Sequence, residues 1–534
     1  MKRHLVRSLI LCCSLLLSSL MLFPQSAVPS IDALIVAAQD GRRPETERRE
    51  AVIALGKVGV RSDAAVKGLI SLLRDENQYL AGDAAAALAA SGSRAVLPLA
   101  AALKDSSEPV RWGASVALSK IGPAAASAVP AILRALDSNS LRIRWCLLIT
   151  LGEIGPSAKA HYGILEPLLY DADADIRWAA VYALRRIDKG RFEAQRSIEN
   201  VTAVIEERLP ALMKELNVPG VSIALIRNGS VAWSKGYGIK DVRTGEPVTT
   251  QTMFEACSMT KPLFSYIVLK LAEQKRLDLD KPLREYLDEP FISLKDEKNT
   301  VTARMVLTHT SGLPNWRVGY EETDGPLPLY FTPGTRFNYS GEGMFYLQRV
   351  LERITGEPLD RYARRTLFTP LRMERIDFGW RAEHDTLIAA GHDASGQHRL
   401  KTRYEHPNAA YSLYTSAEEY ASFLSRLLRP DDARPELLSS AGVAEMTSRQ
   451  VSVSVREPMD RPGAATGIAV HWGLGWGINQ TLSGDIIYHS GANQSGFRCY
   501  AQFRRDRGTG IVIMTNGTGG SELWQRLVRR IGDY

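Results

Sequence analysis

The sequence predicts a multidomain chain. An N-terminal α-solenoid precedes an α/β domain with an antiparallel sheet, flanking terminal helices and a mostly helical lobe in its middle. Three observations predict this. Val110-Arg111-Trp112 returns as Ile143-Arg144-Trp145 and again as Ile176-Arg177-Trp178, 33 residues apart each time. After Arg191, Ala-rich helical text gives way to strands, aromatics and Gly turns. Hairpin signals then stand at both ends of that second part. The 534 residues are 45% apolar and 23% charged with 42 Gly and 26 Pro, which excludes collagen-like or largely disordered chains and exceeds one ordinary core.

The first element is a leader. Met1–Arg7 is basic, Leu9–Phe23 is almost wholly apolar, and Pro-Gln-Ser-Ala follows. That order is a secretory signal, expected over residues 1–27 with cleavage after Ala27. Its apolar run is shorter than the ~20 residues of a spanning helix. No second apolar stretch reads as long enough to span, so membrane attachment is expected only if the leader stays. Export to a periplasm or the medium is the expectation. Net charge is +7, and Lys2, Arg3 and Arg7 lie in the leader, which leaves +4 on the mature chain. So small a surplus gives no case for nucleic acid. Beyond the leader stand Cys146, Cys257 and Cys499, too few and too scattered for a disulfide framework or a zinc ribbon.

Residues 30–190 carry the repeats. Gly59, Gly92, Gly122 and Gly155 follow one another at 33, 30 and 33 residues, each four places after a Leu (Leu55, Leu88, Leu118, Leu151). Each unit reads as helix, Gly turn, second helix and short Asp/Ser-rich loop. One unit cannot bury its apolar stripe alone, so neighbours must stack. The register resembles short HEAT-type repeats, with four units and a closing helix at Asp175–Ile187. Each Trp is expected between repeats and each Arg on the Asp of a neighbouring loop. No cluster of Cys, His or carboxylates has ligand spacing here. The expected role is a spacer, or a surface for a protein partner.

A linker is expected at 191–197, then a domain over 198–534. Ile198–Leu216 is an amphipathic helix. Val221–Ile226 and Val231–Tyr237 surround Asn228-Gly229, a strong hairpin signal. Phe497–Phe503 and Gly510–Thr515 make a second hairpin, and Ser521–Ile531 closes the domain. Ser258-Met-Thr-Lys261 opens the helix Pro262–Gln274, and its i, i+3 spacing sets hydroxyl and amine on one face. A Ser becomes nucleophilic when a base takes its proton, and a desolvated Lys can serve. Tyr339-Ser340-Gly341 precedes the helix Phe345–Ile354 and offers a phenol for proton transfer. His489-Ser490-Gly491 stands at the entry to the strand Phe497–Phe503 and offers an imidazole, with Gly allowing close approach to the strand edge.

These three motifs, in this order at steps of 81 and 150 residues, resemble the serine β-lactamase and penicillin-binding-protein superfamily, most of all its class C β-lactamase, D-aminopeptidase and family VIII esterase branch. Pro219-Gly220-Val221, Leu307-Thr308-His309-Thr310-Ser311-Gly312-Leu313 and Trp472-Gly473-Leu474-Gly475-Trp476-Gly477 agree with it. The resemblance covers residues 200–534. It implies Ser258 as the nucleophile of an acyl-enzyme, Lys261 as its activating partner and Tyr339 as the acid/base. It further implies the backbone N–H groups of Ser258 and Ala492 as the oxyanion hole, with His489, Gly491 and Gly341 completing the site. No metal or cofactor is implied. Two departures stand out: Gly341 replaces the Asn of Tyr-x-Asn, and His489 replaces the Lys of Lys-Thr-Gly. A third is Tyr411-Ser412-Leu413 in place of Gly-Gly-Leu, which narrows the pocket. Together they favour a small ester or a D-amino-acid amide as substrate. A cell-wall D-peptidase or weak β-lactamase is the alternative. From another class, the alternative is a non-catalytic interaction protein with a relic hydrolase fold.

Other groups read as bland. His392 and His398, with Asp393 between, match no ligand spacing and are expected in a solvated loop. His309 is expected to cap its turn. Cys257 points away from the Ser258 face, and a Cys257–Cys499 bridge is the minor reading.

Overall fold

Periodicity becomes helices first. The computed structural model describes residues 29–59, 62–288, 291–292, 300–317, 326–453, 469–481 and 484–531. The leader expected at 1–27 lies outside these residues. Two compact units emerge, divided between Ser157 and Ala158.

In the first unit, helices α1 (Ile31–Gln39), α2 (Glu45–Gly59), α3 (Asp63–Leu72), α4 (Gln78–Ala90), α5 (Ser93–Ala102), α6 (Glu108–Ile121), α7 (Val129–Ala135) and α8 (Leu141–Ile154) alternate with short turns. Gly92, Gly122 and Gly155 adopt φ of 58°, 64° and 68°, the left-handed region that lets the chain turn between paired helices. The polar loops supply N-caps: Asn77 accepts from Tyr79 N–H and Ser140 from Ile143 N–H. Leu55, Leu88, Leu118 and Leu151, the periodic leucines, are all fully buried.

Two expectations are corrected here. The guanidinium of Arg111 does not reach a neighbouring Asp side chain. It donates to the carbonyls of Asp105 and Ser106 at 2.7 and 2.8 Å, groups of its own preceding loop left free by the end of α5. Pairing between repeats falls to other arginines: Arg48–Asp75, Arg49–Asp83, Arg74–Asp105 and Arg94–Asp63. Trp112 does pack between repeats, under the guanidinium of Arg142 at 4.1 Å. Secondly, the continuous helical stretch Glu108–Ala135 is long and apolar enough, by length and composition alone, to cross a membrane. Its interruption at Gly122 and its buried Leu118, Ala125 and Ile132 make it two repeat helices.

The second unit, after the short helical turns Tyr162–Leu165 and Glu166–Tyr170, holds the last repeat helix, α9 (Ala174–Ile187), whose Trp178 packs on Ile486. This contact places the end of the repeats with the sheet. Residues 191–195, expected as linker, complete a short helix Lys189–Gln195 with Phe192 fully buried.

An antiparallel sheet runs β2-β1-β11-β10-β9-β8-β7-β6. Its strands are β1 (Gly220–Arg227), β2 (Ser230–Gly238), β6 (Val451–Ser452), β7 (Val470–Trp472), β8 (Gly477–Thr481), β9 (Gly484–Ala492), β10 (Arg498–Arg504) and β11 (Thr509–Thr515). A small sheet joins β3 (Phe254–Glu255), β5 (Tyr414–Thr415) and β4 (Ile376–Asp377). Both expected hairpins form; Asn228 and Gly229 turn the first with φ of 51° and 69°. The ends of the domain meet at mid-sheet, where Ile223 pairs with Ile513. Alternation then decides the layers. Val221, Ile223 and Leu225 face the terminal helices α10 (Ile198–Glu215) and α14 (Gly520–Ile531), joining Ile205, Leu209, Leu523 and Leu527. Ala224 and Ile226 face the other core with α13 (Ala417–Leu428). At the centre of that core lies α11 (Thr260–Glu273), buried from Thr260 through Leu269. The helical lobe contributes α12 (Gly341–Thr355).

Candidate active site

The site forms where α11, the turn before α12 and the free end of β9 converge. Ser258 occupies a single turn of tight helix, Cys257–Met259, that leads into α11. Cys257 sits at φ 54°, a left-handed conformation rare for a side-chain-bearing residue. Three contacts fix the turn: Ala256 N–H donates to Leu413 O at 2.8 Å, Leu413 N–H to Thr260 Oγ1 at 3.1 Å, and Tyr420 hydroxyl to Met259 O at 3.0 Å. Ser258 alone among these neighbours keeps some exposure.

Lys261 is fully buried one turn on. Its Nζ lies 3.2 Å from Ser258 Oγ and 2.7 Å from the carbonyl oxygen of Ala410. Burial pulls its pKa down from 10.5 to about 7. Near neutrality the amine is therefore often unprotonated, and it stands within hydrogen-bond reach of both the Ser258 hydroxyl and the Ala410 carbonyl.

Tyr339 comes from the turn before α12. Its ring centre lies 4.7 Å from Lys261 Nζ, on the side of the cleft where Ser258 stands. Burial raises the pKa of this phenol, so it holds its proton at neutral pH. His309 props it from behind. The two rings stand 4.2 Å apart, Nδ1 of His309 accepts from Ser340 N–H at 3.1 Å, and its carbonyl accepts from Asn338 N–H at 2.7 Å. With Nδ1 as acceptor, the ring is the Nε2–H tautomer. His309 therefore caps the turn that aims Tyr339.

The edge of β9 supplies the third wall. Pairing with β8 stops at Tyr488, and Asn493 N–H donates to Phe497 O on the β10 side. Alternation then points the N–H of Ala492 away from β10, toward the cleft. Gly491 brings this edge against the nucleophile: a methyl group there would stand 2.4 Å from Ala256 O and 3.1 Å from Ser258 N. His489 is buried in an aromatic box, 6.2 Å from Tyr339, 5.7 Å from Trp472 and 6.4 Å from Trp476 by ring centres. Burial, with Lys261 beside it, lowers its pKa to about 3, so it offers no charge to a substrate carboxylate.

Gly341 departs from expectation. Its N–H is taken by both the carbonyl and side-chain oxygens of Asn315 at 3.0 Å. A Cβ there would stand 2.4 Å from the ring of Trp316. It presents no group to a substrate, because Trp316 fills the space where a side chain would stand.

Sequence reading also missed the Ala410 carbonyl, Trp316, and the buried carboxylate of Glu255. Oε2 of Glu255 accepts from Ser495 Oγ at 2.7 Å, Asn493 Nδ2 at 2.8 Å and the Tyr404 hydroxyl at 3.1 Å. It ties the strand before Ser258 to the turn after Ala492. Cys257 and Cys499 are both free, and both thiols donate to Glu255 O at 3.3 Å. His392 and His398 are not in a solvated loop. They pair across a tight antiparallel bridge beside Asp241, His392 bound to Asn516 O at 2.9 Å and His398 to Asp241 at 3.1 Å. Arg243 also holds that carboxylate, at 3.0 Å.

The profile of the Beta-lactamase family matches residues 205–534. The chain belongs to the Beta-lactamase family. HEAT repeats match at 66–128 and 96–185. The family segment is 24% identical over 340 residues to Protein flp of Staphylococcus aureus (strain MW2), covering 60% of this chain and 63% of that protein, less than two thirds of its length. It is 26% identical to Esterase EstB of Burkholderia gladioli, over 50% of this chain and 82% of that protein. Among solved structures, the octameric penicillin-binding protein homologue from Pyrococcus abyssi is 24% identical with a TM-score of 0.51, over 61% of this chain and 76% of that one. D-alanine carboxypeptidase AmpC from Burkholderia cenocepacia is 19% identical with a TM-score of 0.50, over 62% and 99%. Both likenesses are of fold. Within this family segment Ser258, Lys261 and Tyr339 are assembled around one cleft.

Proposed function

We propose that this chain hydrolyses a small carboxylic ester through an acyl-enzyme on Ser258. The observation that carries the reading is the buried Lys261 Nζ, 3.2 Å from Ser258 Oγ with its pKa brought to about 7. The neutral amine takes the Ser proton as Oγ attacks the ester carbonyl. Charge developing on the carbonyl oxygen meets the N–H groups of Ser258 and Ala492, supported by the start of α11. Tyr339, protonated and beside Lys261, hands a proton to the departing alkoxide and is refilled by the ammonium of Lys261. Water then attacks the acyl carbon by the reverse relay, releasing the acid and freeing Ser258.

Ester is favoured over peptide or β-lactam by what the site lacks. His489 is neutral, and Trp316 stands where an Asn amide would hold a substrate amide. Esterase EstB, by name an esterase, is among the relatives. A D-peptidase reading is favoured by the likeness to a D-alanine carboxypeptidase, a resemblance of fold. The intact Ser258–Lys261–Tyr339 cluster disfavours a relic. The leader is proposed to export the protein, and the repeats to act as a spacer or to engage a protein partner.

A fluorophosphonate probe and a substrate panel on the full chain test this. Expected are labelling that vanishes in Ser258→Ala, and faster turnover of p-nitrophenyl butyrate than of a D-alanyl amide or nitrocefin. Failure of the folded wild type to label would leave the relic reading; nitrocefin outpacing the ester would favour a β-lactamase.

A further inference from the structure

We propose that Glu255 is a positioning residue, whose buried carboxylate sets where the Ala492 N–H and the Ala410 carbonyl stand relative to Ser258. The proposal rests on the ester-hydrolase reading above and names the group that keeps the parts of its site in register.

Glu255 lies on β3, three residues before Ser258 and between the buried apolar side chains of Phe254 and Ala256. At 1% exposure its carboxylate is out of water, which is costly unless donors replace the water. Three donors converge on Oε2: the Ser495 hydroxyl at 2.7 Å, Asn493 Nδ2 at 2.8 Å and the Tyr404 hydroxyl at 3.1 Å. Burial raises the pKa of Glu255, and these hydrogen bonds oppose the rise. All three donors come from segments remote in sequence from Ser258.

Two of them sit on the turn between β9 and β10. Asn493 directly follows Ala492, and its backbone is held as well: its N–H donates to Phe497 O at 3.3 Å, and its carbonyl accepts from Arg498 Nη1 at 2.7 Å. The N–H of Ala492 therefore stands one residue from a side chain clamped to Glu255. The same amide reaches the lysine's wall. Asn493 Nδ2 lies 3.4 Å from Tyr411 O, and the preceding residue, Ala410, accepts from Lys261 Nζ at 2.7 Å. The Tyr404 hydroxyl closes the network, accepting from Asn493 Nδ2 at 3.1 Å while it donates to Glu255. The main chain of Glu255 adds a further tie, since its carbonyl accepts the Cys257 and Cys499 thiols and so joins the bend before Ser258 to β10. One residue thus links the nucleophile's turn, the β9 edge and the carbonyl that holds Lys261.

Such a residue acts on the rate through its neighbours. The N–H groups of Ser258 and Ala492 serve a charge that appears as the carbonyl is attacked, so displacing one of them by about 1 Å lowers kcat by about 10²-fold while ground-state binding changes little. Removing the acceptor leaves three donors without their partner, and the turn must shift to find others.

The experiment uses the full-length chain. It reads kcat and KM for p-nitrophenyl butyrate, affinity for an alkyl trifluoromethyl ketone whose hemiketal oxygen would occupy the oxyanion hole, and backbone hydrogen exchange over residues 490–497 and 408–413. Glu255→Leu is expected to lower kcat about 10²-fold with KM within about threefold, and to weaken the ketone in step with kcat. Glu255→Gln, which keeps one acceptor oxygen, is expected to recover most of that loss. Asn493→Ala is expected to cost about tenfold in kcat alone and little more when added to Glu255→Leu, because both act through one contact. A folded Glu255→Leu with kcat and ketone affinity unchanged, a loss confined to KM, or full additivity of the two substitutions would overturn the positioning role and leave the esterase standing. Should Glu255→Leu fail to fold, Asn493→Ala and Ser495→Ala, which remove donors from the turn alone, carry the same readouts. If wild type neither turns over the ester nor binds the ketone, the esterase reading fails and Glu255 is judged on hydrogen exchange. Exchange about tenfold faster over both segments in Asn493→Ala supports the role; equal exchange refutes it.

Discussion

The unit that ends at Ser157 makes the same few contacts again and again; the unit that begins at Ala158 makes each decisive contact once. Arg48–Asp75, Arg49–Asp83, Arg74–Asp105 and Arg94–Asp63 are four versions of one idea, a charge pair between neighbouring repeats. Lys261 has one Ser hydroxyl and one carbonyl. Redundancy spreads energy thinly, so loss of one copy is local. A singular arrangement concentrates function, so loss of one member is total.

The comparison can be broken at four points. Ser258→Ala should show the largest effect, a fall in ester turnover of about 10⁴-fold or more measured on the folded protein. A loss under tenfold would move the nucleophile elsewhere. Gly491→Val follows. Its side chain would collide with the Ala256 carbonyl at 2.4 Å and prise β9 from Ser258, for an expected loss of about 10²-fold in kcat with thermal stability measured alongside.

Next is pH. Lys261 acts as the neutral amine, and its pKa is lowered to about 7, so kcat/KM should fall about tenfold per pH unit below 7 and level off above it. Linkage runs in the same direction: between about 7 and the ordinary 10.5 the unfolded chain holds a proton that the folded one does not, so stability rises with pH across that window. Lys261→Met should be inactive yet remove that part of the slope, read as the difference between the two proteins in denaturant titrations at pH 7.5 and 9.5, values chosen within the ~7–10.5 window. An unchanged slope would mean that the amine is not desolvated. Smallest is Arg74→Ala, expected to cost at most about 1 kcal/mol in stability and to leave ester turnover unchanged.

The two regions were also legible in different ways. Repeats announce themselves through period, and the Gly and Leu marks fell on the turns and buried positions that stacking demands. Motif order carried the family: Tyr339, far in sequence from Ser258 and Lys261, does share one cleft with them. What escaped was anything supplied by backbone or by remote neighbours. The Ala410 carbonyl has no signature, since every residue bears one. Gly341 read as a missing amide, while the cause of its smallness, the indole of Trp316, sits 25 residues away. His392 and His398 read as loop because their burial depends on Asp241 and Asn516, far off in the chain. The Arg-Trp marks were placed correctly as repeat features, but the partner of Arg111 turned out to be carbonyl rather than carboxylate.

The bend at Cys257 bears on how this site can change. A residue with a side chain held at φ 54° costs about 1 kcal/mol or more that a glycine would not. Selection for durability alone would favour relaxing it, and with it the aim of the neighbouring hydroxyl. A glycine at 257 would remove that cost and leave the neighbouring hydroxyl less firmly held.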